Sequence, residues 1–171
     1  MSVIAAIFLC CALVGADQII KLLVINYLKP IQYIDIIDGV LRFRYVENTG
    51  AIFGSFSAYT AFLTAFSVIL LVLTIIFLVK NKNQNKLVNL CLLFMVSGGI
   101  GNIIDRLRLK YVVDFIEPLF VNFAVFNFAD CLITVGAFAL IIYLIVDLIK
   151  DSAKQKKSVE NEETEKKDAA E

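Results

Sequence analysis

Apolar residues gather in four long runs separated by polar or mixed segments. The first extends from about Ser2 to Ile25 and is interrupted by Asp17, Gln18 and Lys21. The second, about Ala58 to Val79, carries no charge. The third spans about Leu87 to Ile104, and the fourth, about Phe126 to Val146, includes Asp130. Each is close to the roughly 20 residues that cross a bilayer as an α-helix. The pattern predicts an all-α membrane protein with four transmembrane helices. The first run has neither a basic start nor a clear small-residue cleavage site, so a retained helix is expected there rather than a removed leader.

Between the first two runs the pattern changes. Ile31 to Ile37 and Val40 to Val46 are β-prone and are separated by Asp38-Gly39, a preferred centre for a type I′ hairpin turn. Along the second stretch Leu41, Phe43 and Tyr45 share one side, and Arg42 and Arg44 share the other. A small sheet over about 31–48 is expected to rest on the membrane surface, apolar side to lipid or helices, arginines to water or headgroups. The segment between the third and fourth runs holds Phe115-Ile116, Leu119-Phe120-Val121 and Phe123. It predicts a re-entrant or interfacial element, which Pro118 prevents from being one continuous helix. From about 153 to 171 the chain is rich in lysine and glutamate and nearly devoid of apolar residues, which predicts a disordered tail without chemistry. The chain is expected to form one four-helix transmembrane domain, 1–152, followed by that tail, 153–171.

Loop charges orient the spans. Lys80, Lys82 and Lys86 lie between the second and third runs without an acid among them; Lys150, Lys154, Lys156 and Lys157 follow the fourth. Both regions are expected on the cytoplasmic side by the positive-inside rule. Both termini are then cytoplasmic, and the segments 26–57 and 105–125 face outward. Those outer segments carry Arg42, Arg44, Arg106, Arg108 and Lys110 interleaved with acids, which count little in the rule. Asp114 and Asp130 consequently meet the same outer face of the membrane.

Composition narrows the chemistry. Of 171 residues 60% are hydrophobic, with mean hydropathy +0.82, where a soluble domain has roughly 45–50% apolar residues. The formal charge is zero, which removes a general electrostatic case for nucleic acid. Histidine is absent, which excludes a Ser-His-Asp triad, a Cys-His pair and histidine-containing zinc sites. Cys10, Cys11, Cys91 and Cys131 lie in or beside apolar runs without a C-x-x-C pair and read as small buried hydrophobes rather than disulfide or metal ligands.

Asp114 lies in Val112-Val113-Asp114-Phe115, and Asp130 in Phe126-Asn127-Phe128-Ala129-Asp130. A carboxylate near hydrocarbon costs several kcal/mol unless it is paired, solvated or protonated. Two at one membrane face can share a proton, one taking a proton from water while the other donates to a carbonyl oxygen. That is amide hydrolysis without a covalent intermediate. The competing reading is that each aspartate caps a helix or meets an arginine, and Asp130 near a helix start suits the helix dipole.

Asn48, Asn102 and Asn127 are all expected at the outer face, where amides can hold an extended peptide by its backbone or bond between helices. Gly98, Gly99 and Gly101 allow close backbone approach, with helix packing the expected role. Arg106 either pairs with Asp105 or another acid, or holds a substrate carbonyl; both readings stay open. Asp17 and Lys21, four apart, read as a structural pair within the helix or a tie to its neighbour. Ser97 with Lys21 would make a serine–lysine nucleophile pair, but Ser97 falls mid-membrane with no supporting motif.

Five blocks occur in order: Asp17-Gln18-Ile19-Ile20-Lys21, Asn48-Thr49-Gly50-Ala51-Ile52-Phe53, Gly98 to Arg106, Val112-Val113-Asp114-Phe115 and Phe126 to Asp130. With them the chain, over about Gly15 to Gly136, resembles the bacterial signal peptidase II family. The resemblance implies an aspartyl endopeptidase of the bacterial cytoplasmic membrane, with its active site on the outer face. Its substrate would be a prolipoprotein whose lipobox cysteine already carries diacylglycerol, cut just before that cysteine. It assigns Asp114 and Asp130 to the catalytic dyad, Asn48, Asn102, Arg106 and Asn127 to the substrate site, and Asp17 to integrity. It also implies a small outer β-cradle. Ile52 stands where the family often has alanine and Phe128 where isoleucine is frequent; these bear on pocket shape rather than on the reaction. Expected partners are lipid-modified prolipoproteins and membrane lipids, with the chain a monomer and no nucleic acid bound. No metal or nucleotide cofactor is implied, so chelators are expected to leave cleavage intact. The rival from another class is a small non-enzymatic membrane carrier or scaffold in which the acids relay protons or pack.

Overall fold

The computed structural model describes residues 2–50, 65, 67–69, 72–76 and 85–168, with side chains described as far as residue 152. Helix α1 (Val3–Leu23) starts at Ser2, whose hydroxyl accepts the Ala5 N–H, and runs into a single π-helical turn, Val24–Leu28. Strands β1 (Tyr33–Ile37) and β2 (Leu41–Asn48) follow. Helix α2 (Lys86–Leu109) begins under an Asn85 cap and stops at Lys110, which takes a left-handed φ of 70°. Strand β3 (Val112–Pro118) leads to helix α3 (Phe128–Asp168).

Among the described residues, three helical stretches are long and apolar enough to cross a membrane: Val3–Leu28, Lys86–Leu109 and Phe128–Ser152. They coincide with the first, third and fourth runs of the sequence. The second run, Ala58–Val79, lies mostly outside the described residues; those described within it are helical. The helices invert the usual distribution of polarity. Ile4, Phe8, Phe138, Ile142 and Ile145 are exposed, while Asp17, Lys21, Ser97, Asn102 and Asp105 are buried. Lipid solvates the apolar surface, and polar groups withdraw to where they can bond one another. Helices α2 and α3 approach closely at glycines. A Cβ on Gly98 would strike the Ala129 carbonyl, and one on Gly136 would lie 2.6 Å from the Cys91 carbonyl oxygen. All four cysteines are free; Cys91 is buried as expected, Cys10 and Cys131 are half-buried, and Cys11 is exposed.

The sheet is antiparallel in the order β1-β2-β3. Its hairpin falls where the sequence predicts, but the turn is not type I′. That turn needs a positive φ at both central residues. Here Gly39 alone has one (69°), Asp38 does not, and the Val40 N–H bonds the Ile37 carbonyl at 3.0 Å. The segment expected to be re-entrant or interfacial forms, over Val112–Pro118, the third strand of this sheet. Its period-two alternation is the reason: Val113 and Phe115 enter a core with Val24, Leu28 and Tyr45, and Asp114 between them points to the opposite face. The π-turn supplies Val24 and Leu28 to that core and so seats the sheet on α1.

Strand β2 carries an irregularity with a large consequence. Phe43 opposes Ile116, yet Val46, not Tyr45, opposes Asp114, so β2 holds one extra residue between the two pairs. A one-residue slip exchanges the two faces of a strand. The bulge thus sends Tyr45 into the core and puts Asn48 on the face of Asp114.

Beyond residue 152 the backbone of α3 stays helical to Asp168, where composition predicts an unstructured tail. Lysine, glutamate, glutamine and alanine are good helix formers, and extending an existing helix avoids the cost of nucleation.

Candidate active site

Four elements converge between the sheet and the helices. Strand β3 delivers Asp114, β2 delivers Asn48, α2 delivers Asn102 and Arg106, and the start of α3 delivers Asn127 and Asp130. Asp114 is buried, its carboxylate held at both oxygens: Asn48 Nδ2 donates to Oδ2 at 2.7 Å and Asn127 Nδ2 to Oδ1 at 2.6 Å. Asn127 Nδ2 also donates to Asn102 Oδ1 at 3.2 Å, and Asn102 Nδ2 donates to Asp130 Oδ1 at 2.8 Å. An unbroken chain of amides therefore joins the two aspartates.

Asp130 stands in the first turn of α3 and is half-buried. Its N–H donates to Asn127 Oδ1 at 3.0 Å, and its Oδ2 accepts the Asn127 N–H at 3.1 Å. This reciprocal exchange is a capping box built from asparagine and aspartate. The cap expected of Asp130 is present together with its place in the amide chain.

Burial pushes the Asp114 carboxyl up to about 6, against donation from Asn48 and Asn127, and the nearby Asp130 charge adds to the rise. A carboxyl there exchanges its proton near neutrality, which acid–base work requires. Arg106 is half-buried and feels the charges of Asp130 and Asp114, and its guanidinium makes no hydrogen bond or ion pair among the described residues. Of the two readings left open for Arg106, pairing with Asp105 is not formed: Asp105 is taken by Lys21 at 2.9 Å.

Behind the aspartates lies a second polar layer. Asp17 and Lys21 form the expected pair at 3.0 Å, and Lys21 also reaches across to α2. Gln18 Nε2 bonds Asp17, the Gly101 carbonyl and Asp105. Gly101 is needed because a Cβ there would strike the Asp17 carboxylate, whereas one on Gly99 would meet nothing within 4 Å. Ser97 donates to the Leu93 carbonyl of its own helix at 2.8 Å and Lys21 bonds other partners, so the serine–lysine pair is not formed. Sequence reasoning missed Gln18 and the true partner of Asp105. The signal was present: Gly101 and Asn102 each lie about one turn before Asp105, four and three residues away, beside it on the helix surface.

Apolar helices with a polar interior carry a small sheet, and two aspartates linked through amides lie at the junction. The model of the family described as signal peptidase (SPase) II matches residues 9–146. The lipoprotein signal peptidase of Streptococcus thermophilus is 39% identical over 133 residues, covering 78% of this chain and 87% of that protein. That of Enterococcus faecalis is 37% identical over 149 residues, covering 87% and 91%. A solved structure described as a bacterial membrane enzyme, determined by the in meso method, superposes with a TM-score of 0.76 at 28% identity, covering 85% of this chain and 90% of that one. The chain belongs to the signal peptidase II family.

Proposed function

We propose that Asp114 and Asp130 are the catalytic dyad with which this chain cuts lipid-modified prolipoproteins. As a member of its family the protein is an aspartic endopeptidase that removes signal peptides from prolipoproteins. The observation that carries the residue assignment is the amide chain linking Asp114 through Asn127 and Asn102 to Asp130. In the reaction an ionised carboxylate of the pair takes a proton from water, and its protonated partner donates to the scissile carbonyl oxygen. The water oxygen bonds the carbonyl carbon; on collapse the carboxyl that took water's proton gives it to the leaving nitrogen as the C–N bond breaks, and the other carboxylate takes back the hydroxyl proton, which restores the dyad.

The four other site residues divide by their bonding. Asn127 bonds to both aspartates and Asn102 to Asp130, and together they hold the pair in register. Asn48 is exposed and keeps one Nδ2 hydrogen beyond its bond to Asp114, and the Arg106 guanidinium is uncommitted among the described residues, so both can meet the substrate backbone. Arg106 holds a substrate carbonyl, and Asn48 meets the chain beside Asp114. The substrate cysteine carries diacylglycerol and cleavage falls just before it. A dyad at the membrane boundary suits that substrate, because the acyl chains stay in lipid while the adjoining peptide bond reaches water. The second apolar run completes four spans, both termini are cytoplasmic, the site faces outward, and the chain works as a monomer in the bacterial cytoplasmic membrane. Residues 1–152 form the peptidase domain, and 153–171 a charged cytoplasmic extension without chemistry.

The test is cleavage of a diacylglyceryl-modified prolipoprotein by the purified protein beside Asp114→Asn and Asp130→Asn. Wild type cuts, and both variants fold and are silent. Cutting by either folded variant moves the assignment elsewhere.

A further inference from the structure

Lys21 is buried behind the aspartates, touching neither. Its Nζ lies 3.0 Å from Asp17 Oδ2 and 2.9 Å from Asp105 Oδ2, and it donates to Asn102 Oδ1 at 2.9 Å. Both acids also grip backbone beside the dyad. Asp17 Oδ1 accepts the N–H of Ala129, the residue before Asp130, at 3.1 Å. Asp105 Oδ2 accepts the N–H of Val113, the residue before Asp114, at 3.1 Å. One ammonium thus joins the carboxylate that anchors α3 to the carboxylate that anchors β3.

The third contact fixes an amide. Asn102 Oδ1 accepts from Lys21 and from Asn127, which leaves Nδ2 to donate to Asp130. Turned over, the same side chain would set an oxygen against the Asp130 carboxylate. Stability alone is a poor reason for this lysine, since buried ion pairs are often no better than apolar packing.

We propose that Lys21 is a positioning residue for peptide cleavage: through Asp17 and Asp105 it sets the separation of Asp130 and Asp114, and it orients Asn102 to donate to Asp130. The inference rests on the dyad reading above. A displacement of about 1 Å at a reacting group can cost about 100-fold in rate, so the effect belongs in kcat.

The test compares wild type with Lys21→Met and with the charge-balanced variant Asp17→Asn/Lys21→Met/Asp105→Asn. Cleavage of a diacylglyceryl-modified prolipoprotein is measured per folded enzyme across acidic to neutral pH, with Asp114→Asn and Asp130→Asn alongside. In both test variants kcat falls about 100-fold while KM stays within about two-fold. In Lys21→Met the limb set by Asp114 also moves to higher pH, because the Lys21 charge favours the ionised form, while Asp130 and Arg106 still face it. A merely structural ion pair would lower the folded fraction and leave both quantities alone. Wild-type kcat per folded enzyme in either variant overturns the proposal, as does an unmoved limb in Lys21→Met. If Lys21→Met does not fold, the balanced variant decides, since it leaves no unpaired charge and its asparagines still accept from Ala129 and Val113. Cutting by Asp114→Asn or Asp130→Asn is a separate result and would overturn the dyad reading instead.

Discussion

Asn127 and Asp130 cap each other: each backbone N–H, at 3.1 and 3.0 Å, donates to the other's side chain across the first turn of α3. One carboxylate thereby serves the helix end and the amide chain to Asp114. The two duties separate by substitution. Asp130→Asn keeps an acceptor for the Asn127 N–H, so thermal stability in detergent changes little while cleavage is lost. Asp130→Ala loses cleavage and the cap together, the latter costing about 1 kcal/mol. A thermal melt beside a cleavage assay checks both.

The pH dependence centres on Asp114. Burial lifts its carboxyl from 3.8 to about 6, so the folded protein favours the protonated form. The stability this contributes is full below pH 3.8 and is lost as pH rises through about 6, a difference on the order of 3 kcal/mol. Asp114→Asn, which cannot ionise, is therefore more stable relative to wild type above pH 6 than at acid pH. Melts at the two extremes test the sign.

Asn48 donates to the charged form of Asp114. Removing it in Asn48→Ala raises Asp114 further, so the limb of the cleavage–pH profile near 6 moves to higher pH. The direction is the same whichever carboxylate takes the proton from water. A limb that stays in place would place Asp114 outside the titration that governs the rate.

Arg106 makes no ion pair among the described residues. Arg106→Gln should keep stability within about 0.5 kcal/mol. Loss of a charged hydrogen bond to substrate, about 1.5–3 kcal/mol, lowers kcat/KM about 10- to 100-fold. Parallel melts and steady-state kinetics distinguish this from a structural role.

The glycines of α2 behave oppositely. Gly101→Ala drives a methyl into the Asp17 carboxylate and destabilises by about 1–3 kcal/mol. Gly99→Ala meets nothing within 4 Å and gains helix propensity, up to about 1 kcal/mol. The two melting temperatures should move in opposite directions from wild type.

Much was determined by the sequence alone. Long apolar runs place helices because a bilayer admits few other structures, and three of the runs are helices of spanning length. Asp-Gly between β-prone stretches places the hairpin, and the five blocks carry the family. The pairing of Asp17 with Lys21 also follows from spacing on one helix. These features depend on neighbours in the chain or on the solvent around it.

Tertiary structure decided the rest. That Val112–Pro118 joins β2, that a bulge turns Asn48 toward Asp114, and that Lys21 rather than Arg106 meets Asp105 all depend on residues distant in the chain. Local pattern assigns an aspartate to a strand or a helix end but does not choose its partner. Partners inside the bundle are chosen by geometry within a few tenths of an ångström, because a buried polar group left unbonded costs more than a wrong turn type.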